Sequence, residues 1–365
     1  MGLVNSCGFR YLKYSIGNST VVSKICFCCF FCKFLAENYE HNHFGKFGLK
    51  KTNQSSAKKT KKKQQKKKKN KSKTKIKRKM FEEIEWESLY LKTFGQVPTS
   101  RKFVANFGIT PAIFVYLWTI ITISPENEKI KVKPVHFFWV FDWLKSFATF
   151  ESLCNKYDTS DTTLRRKIWN LVDLLYNALE EIDLEKRFIQ NEGTGLWKGV
   201  HLLLDCTVCP IETPNKETQQ LFYSHKHHNH CRKWEVAIRR EDGYICWLSD
   251  GYAGSIHDNM VLKCGELLKE LPKNELVAAD LGYLGNENIM VPFKRPRGGQ
   301  LTREQVKFNK KFGKVRVKVE NIFAQMKIFQ ALKADWRMDY EKQDKIFWII
   351  ANINNIKIKC SEDEE

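Results

Sequence analysis

Residues 200–211 read VHLLLDCTVCPI and residues 275–282 read ELVAADLG; in each, a short apolar run meets an aspartate, Asp205 in the first and Asp280 in the second. Runs of this length, rich in Val, Leu and Ala, suit buried strands, and the acid that closes each marks a strand end. Between them, RKWEVAIRR (232–240) and YICWLSDG (244–251) flank Glu241-Asp242-Gly243, which predicts a hairpin. Asp258 to Leu271 reads as one helix. After the basic loop KRPRGGQ (294–300), Thr302 caps a long helical segment that runs to about Leu332. The order strand, strand, strand, helix, strand, helix predicts a mixed α/β sheet with helices packed on it.

Upstream the texture is different. From Met80 to about Gln190 the pattern is helical, and PVHFFWVFDWLKSF places Phe137, Phe141, Leu144 and Phe147 on one face. A second helix is predicted from Phe150 to Tyr157. A short polar turn follows, then an amphipathic segment whose stripe is Leu164, Ile168, Leu171, Leu174 and Leu175. If the outline is a helix-turn-helix, Thr162, Thr163, Arg165, Arg166 and Lys167 lie near the start of the second helix, where such modules contact base edges and phosphates. Any helical bundle offers the same outline.

The charge is unevenly placed. The chain has 365 residues with 62 Lys and Arg against 41 Asp and Glu, a formal charge of +21. Residues 46–79 hold 18 of the basic residues and no acid, so the remainder carries 44 against 41, or +3. Such a tract cannot bury enough apolar surface to offset chain entropy, so it is expected to be disordered and attracted to polyanions, as a nucleic-acid-binding or nuclear-localisation arm. Its plainer alternative is a solvated tail. Residues 1–45 are rich in cysteine and aromatics. Cys29, Cys32, His41 and His43 could be arranged as a zinc site, but their spacing departs from the usual one and a poorly ordered leader is the simpler expectation.

Twelve cysteines are too few for a disulfide scaffold, and no secretory leader pattern stands at the N-terminus, so a reducing compartment is expected. MGLVNS fits the myristoylation pattern, a weak match at odds with a nucleic-acid-binding arm. Phe103 to Ile123 is apolar over about a membrane's thickness. Asn106, Gly108, Thr110 and Pro111 interrupt it, and Thr110 as cap with Pro111 at the first helical position predicts a buried helix, so no membrane partner is expected. The organisation expected is therefore a leader at 1–45, a basic arm at 46–79, a helical domain at 80–190 and an α/β domain at 199–358.

Three acids stand where a metal-dependent site would want them: Asp205, Asp280, and Glu320 inside the later helix, spaced by 75 and then 40 residues. A magnesium ion takes oxygen ligands and keeps several waters, so two or three carboxylates plus substrate phosphates suffice. Two such ions about 4 Å apart can activate the attacking oxygen and stabilise the leaving one in an in-line phosphoryl displacement. Taken singly, the same acids also fit a strand-end Asp, a turn Asp before Gly282, and a surface Glu paired with Arg316.

The set resembles a known family. LLLDCTVCPIETP, FYSHKHHNHCRKWEVAI, GYICWLSDGYAGSIHDNMVL, AADLGYLG and KFNKKFGKVRVKVENIFAQMK are similar, in that order, to the blocks of DDE transposases of the Harbinger and related insertion-sequence type. The resemblance covers about Gly199 to Lys333 and extends more weakly back to Phe137, where the segment is similar to the family's helix-turn-helix region. It implies an RNase H-like fold and metal-dependent cutting and joining of DNA, with transposon ends and target DNA as partners. Mg2+ would be the metal, with Mn2+ able to substitute. It also implies a homo-oligomer on DNA, a separately encoded accessory DNA-binding protein and, in a nucleated cell, nuclear localisation.

Carried over by position, Asp205, Asp280 and Glu320 are the first, second and third catalytic acids. Asp258, in SIHDN, matches a further family acid and is either a metal ligand or a helix cap. Lys294, Arg295, Arg297, Arg303, Lys307 and Arg316 would face phosphates. Two departures stand out: Cys206 replaces the usual Gly or Ala after the first Asp, and His225, Lys226, His227, His228 and His230 replace the family's Lys or Arg. The cluster could be read as a zinc site, but four histidines on one strand or loop point to alternating faces and cannot all converge, so phosphate or pH-sensitive DNA contact or a plain polar strand is the simpler expectation. Rival readings are a catalytically silent DNA-binding protein and an RNase H-like ribonuclease or repair nuclease.

Overall fold

The computed structural model describes residues 9–16, 19–26, 86–124, 130–188 and 195–362. The lysine-rich tract, MGLVNS and the quartet Cys29, Cys32, His41 and His43 lie outside them. Within the leader, β1 (Phe9–Ile16) and β2 (Ser19–Cys26) pair as an antiparallel ribbon, from Ile16 beside Ser19 to Phe9 beside Cys26.

The helical segment comprises α1 (Trp86–Phe94), α2 (Ser100–Phe107), α3 (Pro111–Thr122), α4 (Pro134–Ser146), α5 (Phe150–Tyr157) and α6 (Asp161–Ala178). Hydroxyl caps start four of them: Thr99, Thr110, Thr149 and Ser160 each accept from the backbone N–H three residues on. Each such cap satisfies a donor the helix cannot and contributes about 1 kcal/mol. Thr110 and Pro111 act as the sequence predicts, and α3 is buried within the fold. Among the described residues no single helix is long and apolar enough to cross a membrane, and α2 and α3 together bend by 59°.

The α/β segment is a seven-stranded mixed sheet. Its strands are β3 (Val200–Pro210), β4 (Tyr223–Ser224), β5 (Asn229–Arg239), β6 (Ile245–Leu248), β7 (Tyr252–Ala253), β8 (Leu276–Ala278) and β9 (Ile289–Met290). β6 runs antiparallel to β5 and β5 antiparallel to β3, whereas β3, β8 and β9 are mutually parallel neighbours. This is the mixed sheet with flanking helices expected of an RNase H-like domain. Its helices are α7 (Gln219–Phe222), α8 (Asp258–Cys264), α9 (Leu267–Glu270), α10 (Arg303–Met326) and α11 (Tyr340–Glu362).

Strand alternation divides the core. Leu203, Val236, Ile238 and Ala278 face a cluster that includes Phe312, Val319 and Ile322 of α10 and Phe347 and Ile350 of α11; Trp234 stacks on Phe347 with centroids 4.6 Å apart. Leu202, Leu204, Ala237, Val277 and Ala279 face Leu262, Leu267, Leu271 and Tyr283 on the other side. The hairpin turn holds Gly243 at φ +85, with the Asp242 carboxylate accepting from Tyr244 N–H at 3.0 Å.

Two boundaries and one helix differ from expectation. The single helix from Asp258 to Leu271 is two, because Gly265 is extended and its N–H closes on Val261 O at 2.8 Å. The helix after Thr302 ends at Met326, short of Leu332, which falls in a separate 3-10 turn. α11 carries no signal that sequence reading picked up: its buried face includes Gln343, Asn352, Asn354 and Asn355, which blur the apolar period. Asn355 donates to Ile245 O at 2.9 Å and accepts from Ile245 N–H at 2.7 Å, tying α11 to β6.

The helical and α/β segments, expected as separate domains, share one hydrophobic cluster. Phe147 stacks on Trp336 at 5.4 Å, Lys145 donates to Ile328 O at 2.9 Å, and Arg337 donates to Phe147 O. The change of texture between about Gln190 and Gly199 is therefore not a break in packing.

Candidate active site

Asp205 sits in the middle of β3, not at its end, because β5 stays paired with β3 from Leu202 through Pro210. On the other edge β8 accompanies β3 only as far as Leu203, which lies beside Ala278. Two residues beyond this last pair come Asp205, still on β3, and Asp280, just past the end of β8, so the register carries both onto the same face where pairing stops. Their charges interact: burial foremost, and then the neighbouring Asp280 carboxylate, raises the Asp205 carboxyl above its ordinary value, against the opposing pull of Arg316. The Asp205 side chain is oriented by Cys206 N–H, which donates to Oδ1 at 2.8 Å. Asp280 Oδ1 accepts from Gly282 N–H at 2.9 Å, starting the 3-10 turn Leu281–Tyr283. A Cβ on Gly282 would meet Asp280 Oδ1 at 2.9 Å, so a larger residue there would push the Asp280 carboxylate aside.

Glu320 comes from α10. Its partner is Arg316, one turn back, whose guanidinium forks between two acids: Nη1 to Asp205 Oδ2 at 2.8 Å and Nη2 to Glu320 Oε1 at 2.6 Å. The i, i+4 pair foreseen from sequence is present, and the same arginine closes onto the first acid. Arg316 therefore lies inside the carboxylate group rather than on an outer phosphate-facing surface.

Residues 204–355 match the DDE superfamily endonuclease family. Over these residues the chain is similar to DDE superfamily endonucleases. A curated protein named as the probable transposase for insertion sequence element IS702, from Microchaete diplosiphon, is 26% identical over 275 residues, covering 71% of this chain and 95% of that relative. No solved structure matches the chain.

Behind β3, on the face opposite Asp205, the α/β segment buries a second polar group. Cys206 points there, its Sγ 3.2 Å from the Tyr283 hydroxyl, so its size does not crowd Asp205. Asp258 is in the first turn of α8, but the cap is His257, whose Nδ1 accepts from Asn259 N–H at 3.2 Å. Asp258 is held by Lys233, whose ammonium lies 2.7 Å from Oδ1 and 2.6 Å from Ile256 O. Glu235, paired across the strands with Cys206, is fully buried, and neither of its oxygens has a hydrogen-bond partner among the described residues. Burial, and secondarily the Asp258 charge, pushes its pKa up to about 8. Sequence reading missed Lys233 and Glu235; the acid in the middle of WEVAI was the available signal.

The basic residues of the α/β segment separate into groups. Lys294, Arg295 and Arg297 are exposed in the loop after β9, with Arg295 donating to Gly299 O. Arg303, Lys307, Lys310 and Lys314 are exposed on α10, and at about 100° per residue they form one stripe turned away from the buried face, while Arg316 and Glu320 flank that face. The histidine-rich turn does not converge: His225, His227 and His228 are exposed, and His230 rests against Tyr223. Among the described residues, no three His, Cys, Asp or Glu side chains are grouped to hold a metal ion.

In the helical segment a three-residue turn links α5 to α6, with Asp158 in the left-handed region at φ 46. Buried Asp142 on α4 accepts from Tyr157 Oη at 2.6 Å and Lys156 Nζ at 2.7 Å, which fixes the end of α5. Arg165 is paired with Asp161 and lies over the Phe150 ring, 4.1 Å from its centroid. Arg166 is exposed beside it.

Proposed function

We propose that this protein is a metal-dependent DNA transposase that cuts phosphodiesters at the ends of its element and joins the freed ends to target DNA. The observation that carries this is the placement of Asp205 on β3 and Asp280 two residues past the end of its parallel neighbour β8, in matching register, with Glu320 reaching toward Asp205 through Arg316. The donor set suits Mg2+ or Mn2+: all are hard carboxylate oxygens, and the guanidinium between two of them stands where positive charge is wanted. Asp205 and Asp280 would hold the metal, with Glu320 completing the set and Asp258 behind them as a charge tied to Lys233. When bound, the metal supplies Lewis-acid stabilisation to the attacking and leaving oxygens of a phosphodiester.

The chain's own groups do the rest. Cys206 N–H and Gly282 N–H fix one oxygen of each aspartate, and Arg316 holds the other oxygen of Asp205. Lys294, Arg295, Arg297, Arg303 and Lys307 attract the phosphate backbone, while Arg166 and Lys167 at the start of α6 read the element's own ends. The lysine-rich arm adds sequence-independent affinity and nuclear import, and the protein works as a homo-oligomer with an accessory DNA-binding protein.

Nicking of supercoiled DNA carrying the element's ends tests this. Asp205→Asn, Asp280→Asn and Glu320→Gln should each abolish Mg2+- or Mn2+-dependent cleavage while DNA binding persists, and their effects should not add, because one missing ligand already disables a shared site. Binding with no nicking by the wild-type chain, accessory protein supplied, would leave a DNA-binding protein; cleavage of RNA without strand joining would leave a ribonuclease.

A further inference from the structure

We infer that Arg316 is the internal cation of the carboxylate site, and that a divalent metal enters by displacing its guanidinium from Asp205 and Glu320. The inference rests on the proposed function for the identity of the metal-holding acids, and adds what compensates their charge beforehand. Asp205, Asp280 and Glu320 bring three negative charges, and among the described residues Arg316 is the one cationic side chain bonded to any of them. Its two terminal nitrogens go to two different carboxylates, so the guanidinium bridges them as a metal would. Asp205 Oδ1 is taken by Cys206 N–H and Oδ2 by Arg316, which leaves no oxygen of the first acid without a donor against it.

The bridge is fixed from both sides. Glu320 is one turn from Arg316 on α10, and α10 packs on β3. The Arg316 side chain is 23% exposed and that of Asp205 16%, so water screens the contact only in part. Arginine does not lose its proton in a protein, so it yields the site only by moving. A metal must therefore compete with it, and the apparent affinity falls by the fraction of molecules in which the bridge is closed.

The test is Mn2+ titration of the full chain without DNA, followed calorimetrically and by the metal-induced rise in melting temperature, for wild type, Arg316→Gln, Arg316→Lys and Asp205→Asn. Arg316→Gln should bind Mn2+ about tenfold more tightly than wild type, the worth of a partly screened bidentate contact, and its melting temperature should rise more with metal. Arg316→Lys keeps the charge but offers a point donor that cannot fork between two carboxylates, so it too should bind more tightly than wild type, by less. If Arg316→Lys equals wild type while Arg316→Gln is tighter, charge alone acts and displacement is overturned. Equal or weaker binding by both variants overturns it as well. The metal-holding role of the acids in the proposed function is judged separately by Asp205→Asn: if Asp205→Asn loses the Mn2+ binding that wild type shows, that role stands whatever Arg316 does. If wild type shows none that depends on Asp205, both fall.

Discussion

Replacing Glu235 with Gln should change how stability depends on pH, and the structure sets the sign and the ceiling. Glu235 lies on β5 in the layer behind Asp205, fully buried, with no hydrogen-bond partner for either oxygen among the described residues. The Tyr283 hydroxyl is near enough to favour the ionised form slightly, but its short contact is to Cys206. Burial and the Asp258 charge carry the carboxyl from its ordinary 4.5 to about 8. Between those values the folded chain keeps a proton that the unfolded chain has lost, so stability is greatest below the lower value, falls as pH rises through the window and levels off above it. At about 1.4 kcal/mol per unit, a span of roughly 3.5 units gives a ceiling of about 5 kcal/mol. Gln keeps the shape of the protonated carboxyl and is neutral throughout. Urea unfolding in EDTA at about pH 5.5 and about pH 8 should show the Gln variant gaining on wild type by about 1–3 kcal/mol between the two. A difference between variant and wild type that is the same at both pH values would refute a proton held at Glu235.

The remaining predictions concern the helical segment and the arm. Arg166→Ala should weaken binding to the element's ends by about 1–3 kcal/mol while barely affecting random duplex, and Arg165→Ala, already committed to Asp161 and Phe150, should discriminate less; equal losses on both DNAs in a competition assay would make α6 a backbone contact. Asp142→Asn should lower stability by about 1–3 kcal/mol, because buried Asp142 holds both Tyr157 and Lys156 at the end of α5, and an unchanged urea midpoint would contradict this. Removing residues 46–79 subtracts 18 positive charges and should flatten the salt dependence of DNA affinity, each lost phosphate contact contributing roughly 0.9 to the log–log slope. The comparison is with a chain beginning at Met80, and an unchanged slope would reject the arm as a DNA contact.

The sequence by itself determined the local structure wherever a short-range rule decides it. Thr110 with Pro111, Ser160, and Thr302 with Gln305 start helices through bonds within one turn, so α3, α6 and α10 begin where the chain says they should. The apolar run around Asp205 and the one before Asp280 read as strands because strand burial shows in consecutive residues. Gly265 is a helix breaker legible in the sequence, although the amphipathic pattern around it continues. Only the tertiary structure decided the rest. That Asp205 lies mid-strand follows from β5 running past it while β8 stops, a matter of which strands become neighbours, and strand pairing is a choice among distant segments. The register that sets Asp205 beside Asp280, the reach of Arg316 from α10 to β3, and the capture of Asp258 by Lys233 join residues that are far apart along the chain. A carboxylate looks the same in sequence whether it will be exposed, paired with an arginine or sealed with a proton like Glu235. Burial and the charges packed against it, which fix its chemistry, exist only once the sheet and its helices have closed on one another.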